Sequence, residues 1–321
     1  MQIKIEKDYL SYKNGRLFYK DIDCLDLVEK YGEPLKVGYT DIIREKILNL
    51  KQLFDKAIKK YEYGGKYFYA NANKASYYSE NIITAGHYSD MYETSSYIDL
   101  KLVERVISKK IVANKKIICN GVKDNIYLNQ IIKMLKNGFD ILVVIDNLTE
   151  FDYFLSQRLS KPIEIGFRVN LPNIYNKKSN IIYDRFGLLE DEFKICLKKY
   201  NQNSNLLFTT LHFHQRGSLY DEEKSLINID KMLEIYSKIA KNHPTLKYLD
   251  LGGGVPYDKE KEFNYQKYCD KLIAFLKKCC QKYKMEEPHI IQENGRYTVS
   301  DSCFNIYKVE RIKKAVVKVM K

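Results

Sequence analysis

A chain of 321 residues, 45% hydrophobic and 30% charged, is long enough to bury the core of one or two domains and has an ordinary soluble composition. It shows no run of about 18 apolar residues that would span a membrane and no apolar signal core in "MQIKIEKDYL". Its seven irregularly placed cysteines lack a CxxC pair, which argues against a disulfide framework or a zinc site and for a reducing cytoplasm. The net charge of +13 is spread along the chain within a general Lys, Asn, Ile and Tyr bias, so it does not point to nucleic acid.

Residues 1–36 read as short strands, "QIKIEKDYLSYKNGRLFYK", with a turn at Asn14-Gly15. "GEPLKVGYT" reads as a strand, and Asp41 to Tyr61 as a long amphipathic helix. "KYFYANA" is a strand. "KIICNG" is another, followed by the helix "NIYLNQIIKMLKNG", which Gly138 closes. The same alternation continues with "FDILVVID" and the helix "LTEFDYFLSQRL", then "IEIGFRVN" and the helix "LEDEFKICLKKY". "NLLFTTLHFH" precedes the helix "EEKSLINIDKMLEIYSKIAKNH", and "LKYLDLGGG" precedes "YQKYCDKLIAFLKKCCQKY". "HIIQENGR" ends the series. Repeated strand–helix units imply parallel strands joined by crossover helices. About eight such units place this α/β chain as a (β/α)8 barrel over residues 37–297, with an open doubly wound sheet as the alternative. The tail "YTVSDSCFNIYKV" reads as one more strand before a Lys-rich stub. Residues 1–36 and 298–321 are therefore expected to belong to one discontinuous, incomplete β domain.

Active sites of such barrels gather at the C-terminal ends of the strands, and the unusual residues fall there. Lys74 follows "KYFYANA"; His212, His214, Gly217 and Ser218 lie in "LHFHQRGSL"; Gly252, Gly253 and Gly254 follow the next strand; Glu293, Gly295 and Arg296 lie in "ENGR". Each has a plain structural reading. Among 54 Lys and Arg residues a single lysine is most often a solvated one, three glycines make a flexible turn, and a histidine beside an aromatic is usually a satisfied core residue. Taken together they supply an amine for an aldehyde, a side-chain-free anion cradle and a carboxylate for a ring nitrogen, which is what pyridoxal 5′-phosphate requires.

From about Tyr19 to Tyr297 the chain resembles the fold type III (alanine-racemase-like) pyridoxal-phosphate-dependent decarboxylases, which act on diaminopimelate, ornithine or arginine. "LVEKYGEPLKVGY", "ANKAS", "YETSSYIDL", "ICNGVKD", "RFGL", "LHFHQRGS", "LGGG" and "ENGRY" follow in that family's order, and Lys74 and Glu93 are 19 residues apart (93 − 74), as in the family. "ICNGVKD" with "LHFH" leans toward the arginine-decarboxylase branch. The resemblance implies that Lys74 holds the cofactor aldehyde, Glu293 faces the ring nitrogen and His214 stacks on the ring. It also implies that Ser218, Gly252, Gly253, Gly254, Gly295 and Arg296 hold the phosphate, and that Glu93 and Arg168 lie near the ring. Lys74, His214 and Glu293 would be the catalytic residues, and no metal is implied.

There are departures. The family's motif tyrosine is Asn71 and its asparagine is Ser76. Two residues, where the family has one, separate His214 from Gly217-Ser218. The family continues well past Arg296 with a cysteine–aspartate motif and a tyrosine, which this sequence lacks; Cys269-Asp270 lies earlier, in a helix pattern. The expectation is a cytoplasmic decarboxylase of a basic amino acid, working as a homodimer or as a heteromer with a chain that supplies the β domain. A cofactor-binding but inactive regulatory homologue, or a racemase-like enzyme, are the alternatives.

Overall fold

The computed structural model describes residues 9–171, 184–200, 205–214, 222–257 and 263–313, with the backbone alone at 222–224. The chain divides into two compact units, one from Met1–Tyr39 with Asp301–Lys321 and the other Thr40–Ser300. In the first, β1 (Leu10–Lys13) and β2 (Arg16–Tyr19) form an antiparallel hairpin. Its two turn residues both take positive φ, Asn14 at 51° and Gly15 at 79°, the mirror-image turn whose twist matches the strands. After β3 (Ile22–Asp23) comes α1 (Cys24–Tyr31), a helix where the sequence had suggested only strands. Its signals are at its ends: the Asp23 carboxylate accepts from the Leu25 and Asp26 N–H groups, and Gly32 at φ 79° stops it. β4 (Leu35–Gly38) then follows.

In the second unit the elements run in chain order. They are α2 (Asp41–Lys60), β5 (Tyr67–Ala72), α3 (Ser79–Tyr88), β6 (Met91–Thr94), α4 (Tyr97–Ser108), β7 (Ile117–Cys119), α5 (Asn125–Lys136), β8 (Ile141–Ile145), α6 (Leu148–Ser156) and β9 (Ile163–Arg168). After these come α7 (Glu190–Tyr200), β10 (Leu206–His212), α8 (Glu222–Ala240), β11 (Tyr248–Asp250), α9 (Tyr265–Tyr283), β12 (His289–Asn294) and α10 (Arg296–Val299). β5 to β12 are all parallel and close on themselves, β12 pairing with β5. The fold is a (β/α)8 barrel, and the closing pair rules out the open sheet. The eight strands are not all those read from the sequence. "GEPLKVGYT" holds β4, which instead pairs antiparallel with β13 (Cys303–Ile306) in the first unit. Its place in the barrel belongs to Met91–Thr94. The tail is also corrected: "RYTV" continues as the single turn α10, and only Cys303–Ile306 is strand. Because α10 has four residues, α2 packs against both α3 and α9 and closes the helical ring.

Along each barrel strand successive side chains face opposite ways. Outward residues such as Tyr69, Tyr92, Ile117, Val143, Phe167, Leu211 and Ile290 pack beneath the helices. Inward, Ala70, Met91, Ile118, Leu142, Val144 and Ile291 form a separate apolar plug with Phe68 and Tyr248. Burying each branched side chain there contributes about 1.5–3 kcal/mol. Two residues further toward the C-terminal end, the same inward row becomes polar: Glu93, Asn120, Asp146, Asp250 and Glu293 are all buried. The plug is the floor of a site, and this polar ring is its wall.

Candidate active site

Lys74 rises from a short 3-10 turn, Asn73–Ala75, directly after β5. Its base is pinned by buried Asn71, whose Nδ2 donates to Asn73 Oδ1 at 2.6 Å. The Lys74 Nζ donates to both Glu93 oxygens, at 3.1 and 3.2 Å. The lysine side chain is 50% exposed whereas that of Glu93 is wholly buried, so the amine is held from below and reachable from above. Asn120, from the end of β7, links two acids: its Nδ2 donates to Glu93 Oε1 at 3.1 Å and to Glu293 Oε1 at 2.5 Å. His212 Nε2 lies 3.6 Å from the same Glu293 oxygen. Arg168 reaches Asp146 (3.7 Å) and lies over the Phe186 ring, 4.9 Å from its centroid; its charge also bears on Lys74, His212 and His214.

The glycine loop after β11 abuts the carboxylate. Glu293 N donates to Gly252 O at 2.9 Å, and Gly252 N donates to Asp250 Oδ1 at 2.9 Å. Gly252 sits at φ 64°, and a Cβ there would meet His214 Nδ1 at 2.5 Å; one on Gly253 would meet Glu293 O at 2.8 Å. No side chain fits, so bare backbone lines this rim. Gly253 N donates to His214 Nδ1 at 3.2 Å, which fixes the exposed imidazole over the loop. Gly254, also at positive φ, continues the loop. Gly295 lets β12 approach the lysine turn, since its Cβ would come within 3.3 Å of both Ala75 and Ala72 Cβ. Arg296 begins α10 and is exposed. Gly217 and Ser218 lie outside the described residues.

The protonation states differ between neighbours. Burial drives Glu93 upward and the Glu293 charge adds to it; Lys74 and the Asn120 hydrogen bond oppose, and the carboxyl settles at about 7. Lys74 is lowered by desolvation but raised by Glu93 and Glu293, and the carboxylates win. Asp250 is raised well above the usual range by burial and by Glu293. Glu293 alone goes down: burial opposes its ionisation, but His212, Lys74 and Asn120 together outweigh it. Desolvation lowers His212 against the opposing pull of Glu293, and lowers His214 to about 4, so the His214 imidazole is neutral at neutral pH. Three close carboxyls thus settle on one clear anion, Glu293.

Sequence reasoning selected Lys74, Glu93, Arg168, His214, Glu293 and the glycines, noted His212 without giving it a role, and missed Asn120, Asp146 and Asp250. Asn120, Asp146 and Asp250 continue an inward apolar row by two residues, after Ile118, Val144 and Tyr248, a signal visible once strand phase is known, and His212 follows the buried Thr210. A clamp behind the wall was also missed. Lys123 Nζ, fully buried, donates to Gly121 O (2.8 Å), Val144 O (2.7 Å) and Glu150 Oε2 (3.0 Å). Glu150 also accepts from the backbone N–H groups of Lys123 (2.7 Å) and Asp146 (3.1 Å). It ties together the loops that carry Asn120 and Asp146. Among the described residues no helix is long and apolar enough to cross a membrane.

A closed parallel barrel with a lysine, a buried acid and a glycine rim at its C-terminal mouth defines a class of cofactor-binding barrels. The pyridoxal binding domain of the pyridoxal-dependent decarboxylases matches residues 91–300, about two thirds of the sequence, and the chain belongs to that family. It is 27% identical over 316 residues to a biosynthetic arginine decarboxylase of Prochlorococcus marinus subsp. pastoris, covering 90% of this chain and 48% of that protein. It is 24% identical over 319 residues to biosynthetic arginine decarboxylase 2 of Synechocystis sp., with 90% and 48% covered. The chain spans about half the length of these curated relatives. Among solved structures, diaminopimelate decarboxylase from M. jannaschii has a similar fold (TM-score 0.77, 23% identity, 96% of this chain and 71% of that one). So does the biosynthetic arginine decarboxylase of Campylobacter jejuni (TM-score 0.75, 22% identity, 92% and 52%). The donor set of this mouth fits pyridoxal phosphate: a reachable amine, an ionised buried carboxylate, and a rim where a Cβ has no room.

Proposed function

We propose that this chain is the cofactor-binding part of a pyridoxal-phosphate-dependent decarboxylase of a basic amino acid, with arginine as the first candidate. The observation that carries the reading is Lys74 Nζ, held by both oxygens of a buried acid at the barrel mouth. Arginine as substrate is supported by the names of the curated relatives.

Pyridoxal phosphate, when bound, supplies an electron sink for the pair left behind as CO2 departs. Lys74 is the residue that binds its aldehyde. The protonated amine is not a nucleophile, and Glu93 Oε1 at 3.1 Å, with a carboxyl near pKa 7, is placed to take the Nζ proton and return it. Glu293, ionised, would face the ring nitrogen and favour its protonated form by charge pairing. His214, neutral and fixed by Gly253 N–H, would cover the ring face. Gly252, Gly253, Gly254 and Gly295, with Ser218 and Arg296, would hold the phosphate, Gly252 and Gly253 by leaving side-chain-free room while their own N–H groups stay with Asp250 and His214. Arg168 lies near the ring.

Residues 1–36 and 298–321 belong, in this reading, to a β domain that a partner chain completes, in a homodimer or a heteromer. The test is CO2 release from arginine, ornithine, lysine and diaminopimelate, by this chain alone and with candidate partner chains. Release from arginine in preference to the others, lost in Lys74→Ala, is the expected result. Release that Lys74→Ala leaves intact, or none with any partner despite cofactor binding, would overturn it.

A further inference from the structure

The proposed chemistry gives Glu293 a charge to hold but says nothing of what keeps that charge in place inside a dry barrel. The ends of three adjacent strands, β10, β11 and β12, bring His212, Asp250 and Glu293 together, one ligating atom of each within 4.8 Å of the others. All three are buried. Their hydrogen bonding is uneven. Asp250 Oδ1 is committed as an acceptor to Gly252 N, while Oδ2 has no partner among the described residues. Neither ring nitrogen of His212 has a hydrogen-bond partner among them, and Nε2 lies 3.6 Å from Glu293 Oε1. Asn120 Nδ2 lands on that same oxygen.

We propose that Asp250 and His212 are positioning residues for Glu293: Asp250 retains its proton on Oδ2 and His212 donates from Nε2, so that Glu293 is the triad's single anion. This rests on the cofactor reading above. Two carboxyls this close and this deeply buried cannot both ionise, so one must carry the proton. Asp250 is the better carrier. Its Oδ1 is fixed as an acceptor, its Oδ2 is unpaired, and a protonated Oδ2 gives the site a donor where it otherwise has an orphan. Glu293 has Asn120 and Lys74 to support its charge, and Asp250 has neither. The other charged groups facing the triad are consistent with this assignment. Arg168 and Asp146 bear on His212, Glu93 on Asp250, and His214 lies beyond Gly252. Asp250 thereby also links the glycine rim, through Gly252 N, to the carboxylate that serves the ring.

Two measurements test this separately from the cofactor reading. In the cofactor-free chain, infrared difference spectra of wild type against Asp250→Asn at pH 8 should show a protonated-carboxyl band that the variant lacks. No such band would overturn the assignment. In the chain loaded with nitrogen-15 pyridoxal phosphate, the ring-nitrogen resonance is followed against pH. Asp250→Asn and His212→Gln, which keep a neutral donor in place, should titrate as wild type. His212→Leu should lose the ring proton at about tenfold higher proton concentration, that is, with the titration moved down by about one unit. A shift in Asp250→Asn as large as that of His212→Leu, or none in His212→Leu, would refute the positioning role. If His212→Leu does not fold, Asp250→Asn decides alone: loss of the infrared band with a ring titration within a few tenths of a unit of wild type is the expected result, and an unchanged band or a titration moved by about one unit or more would refute it. A ring nitrogen that titrates identically in wild type and Glu293→Gln would instead refute the role given to Glu293 itself, and leave the infrared result standing.

Discussion

Replacing Lys123 by Met keeps the length and apolar stem of the side chain and removes one charge. The amine it removes is fully buried and satisfies three acceptors, the Gly121 and Val144 carbonyls and Glu150 Oε2. Breaking a buried ion pair by deleting one partner costs about 3–5 kcal/mol, because the other charge stays behind without compensation. Glu150 keeps donors from the backbone N–H groups of Lys123 and Asp146 and from Asn147 Nδ2 at 3.1 Å, which sets the value toward the lower end. The two orphaned carbonyls, at about 1 kcal/mol or more each, push it back up. A loss of about 4 kcal/mol is a large share of the 5–15 kcal/mol that holds a typical domain. Urea denaturation followed by two probes reads it. The double variant Lys123→Met/Glu150→Gln should recover at least about 1 kcal/mol relative to the sum of the singles, since the lone charge is gone. A single-variant loss below about 1 kcal/mol, or strict additivity in the cycle, would refute the reasoning that this pair clamps the wall.

Glu93→Gln tests the raised carboxyl. An acid whose folded-state pKa is about 7 rather than 4.5 binds its proton more tightly when folded, so ionising it costs stability. That cost is absent below about pH 4.5, grows to about pH 7 and is constant above. The variant should therefore gain on wild type by about 1–3 kcal/mol between pH 5 and pH 8; a difference that does not change with pH would contradict the assignment. Gly253→Ala forces a Cβ to within 2.8 Å of Glu293 O. Overpacking of this kind costs about 1–3 kcal/mol, and pyridoxal phosphate affinity, read by fluorescence titration, should fall by about tenfold or more. An unchanged affinity would mean that the rim does not touch the cofactor.

The barrel was legible because long helices and apolar strands alternate in a simple order. The exceptions have physical causes. Met91–Thr94 is four residues, buried on both faces, so it shows no alternation to mark it as a strand, and the better-patterned "GEPLKVGYT" drew the reading to itself. α1 announces itself by its caps, Asp23 and Gly32, rather than by its interior. At the site, residues in glycine-rich or lysine motifs stood out, while Asn120 and Asp250 did not. An inward-facing Asn or Asp is defined by strand phase and by the β12–β5 closure, and neither is local. Lys123 was hidden by number. It lies in "ICNGVKD", but among 54 Lys and Arg residues nothing local in that motif shows that it is wholly buried against Glu150 rather than facing water.

The central claim is that Lys74 is the amine that holds the cofactor. The direct measurement is borohydride reduction of the chain with pyridoxal phosphate, followed by digestion and mass mapping of the pyridoxyl adduct. The account predicts one stoichiometric adduct on Lys74, lost in Lys74→Ala with no compensating adduct elsewhere. An adduct at another lysine of the wild type, or labelling scattered over surface lysines at the same level in wild type and variant, would contradict it.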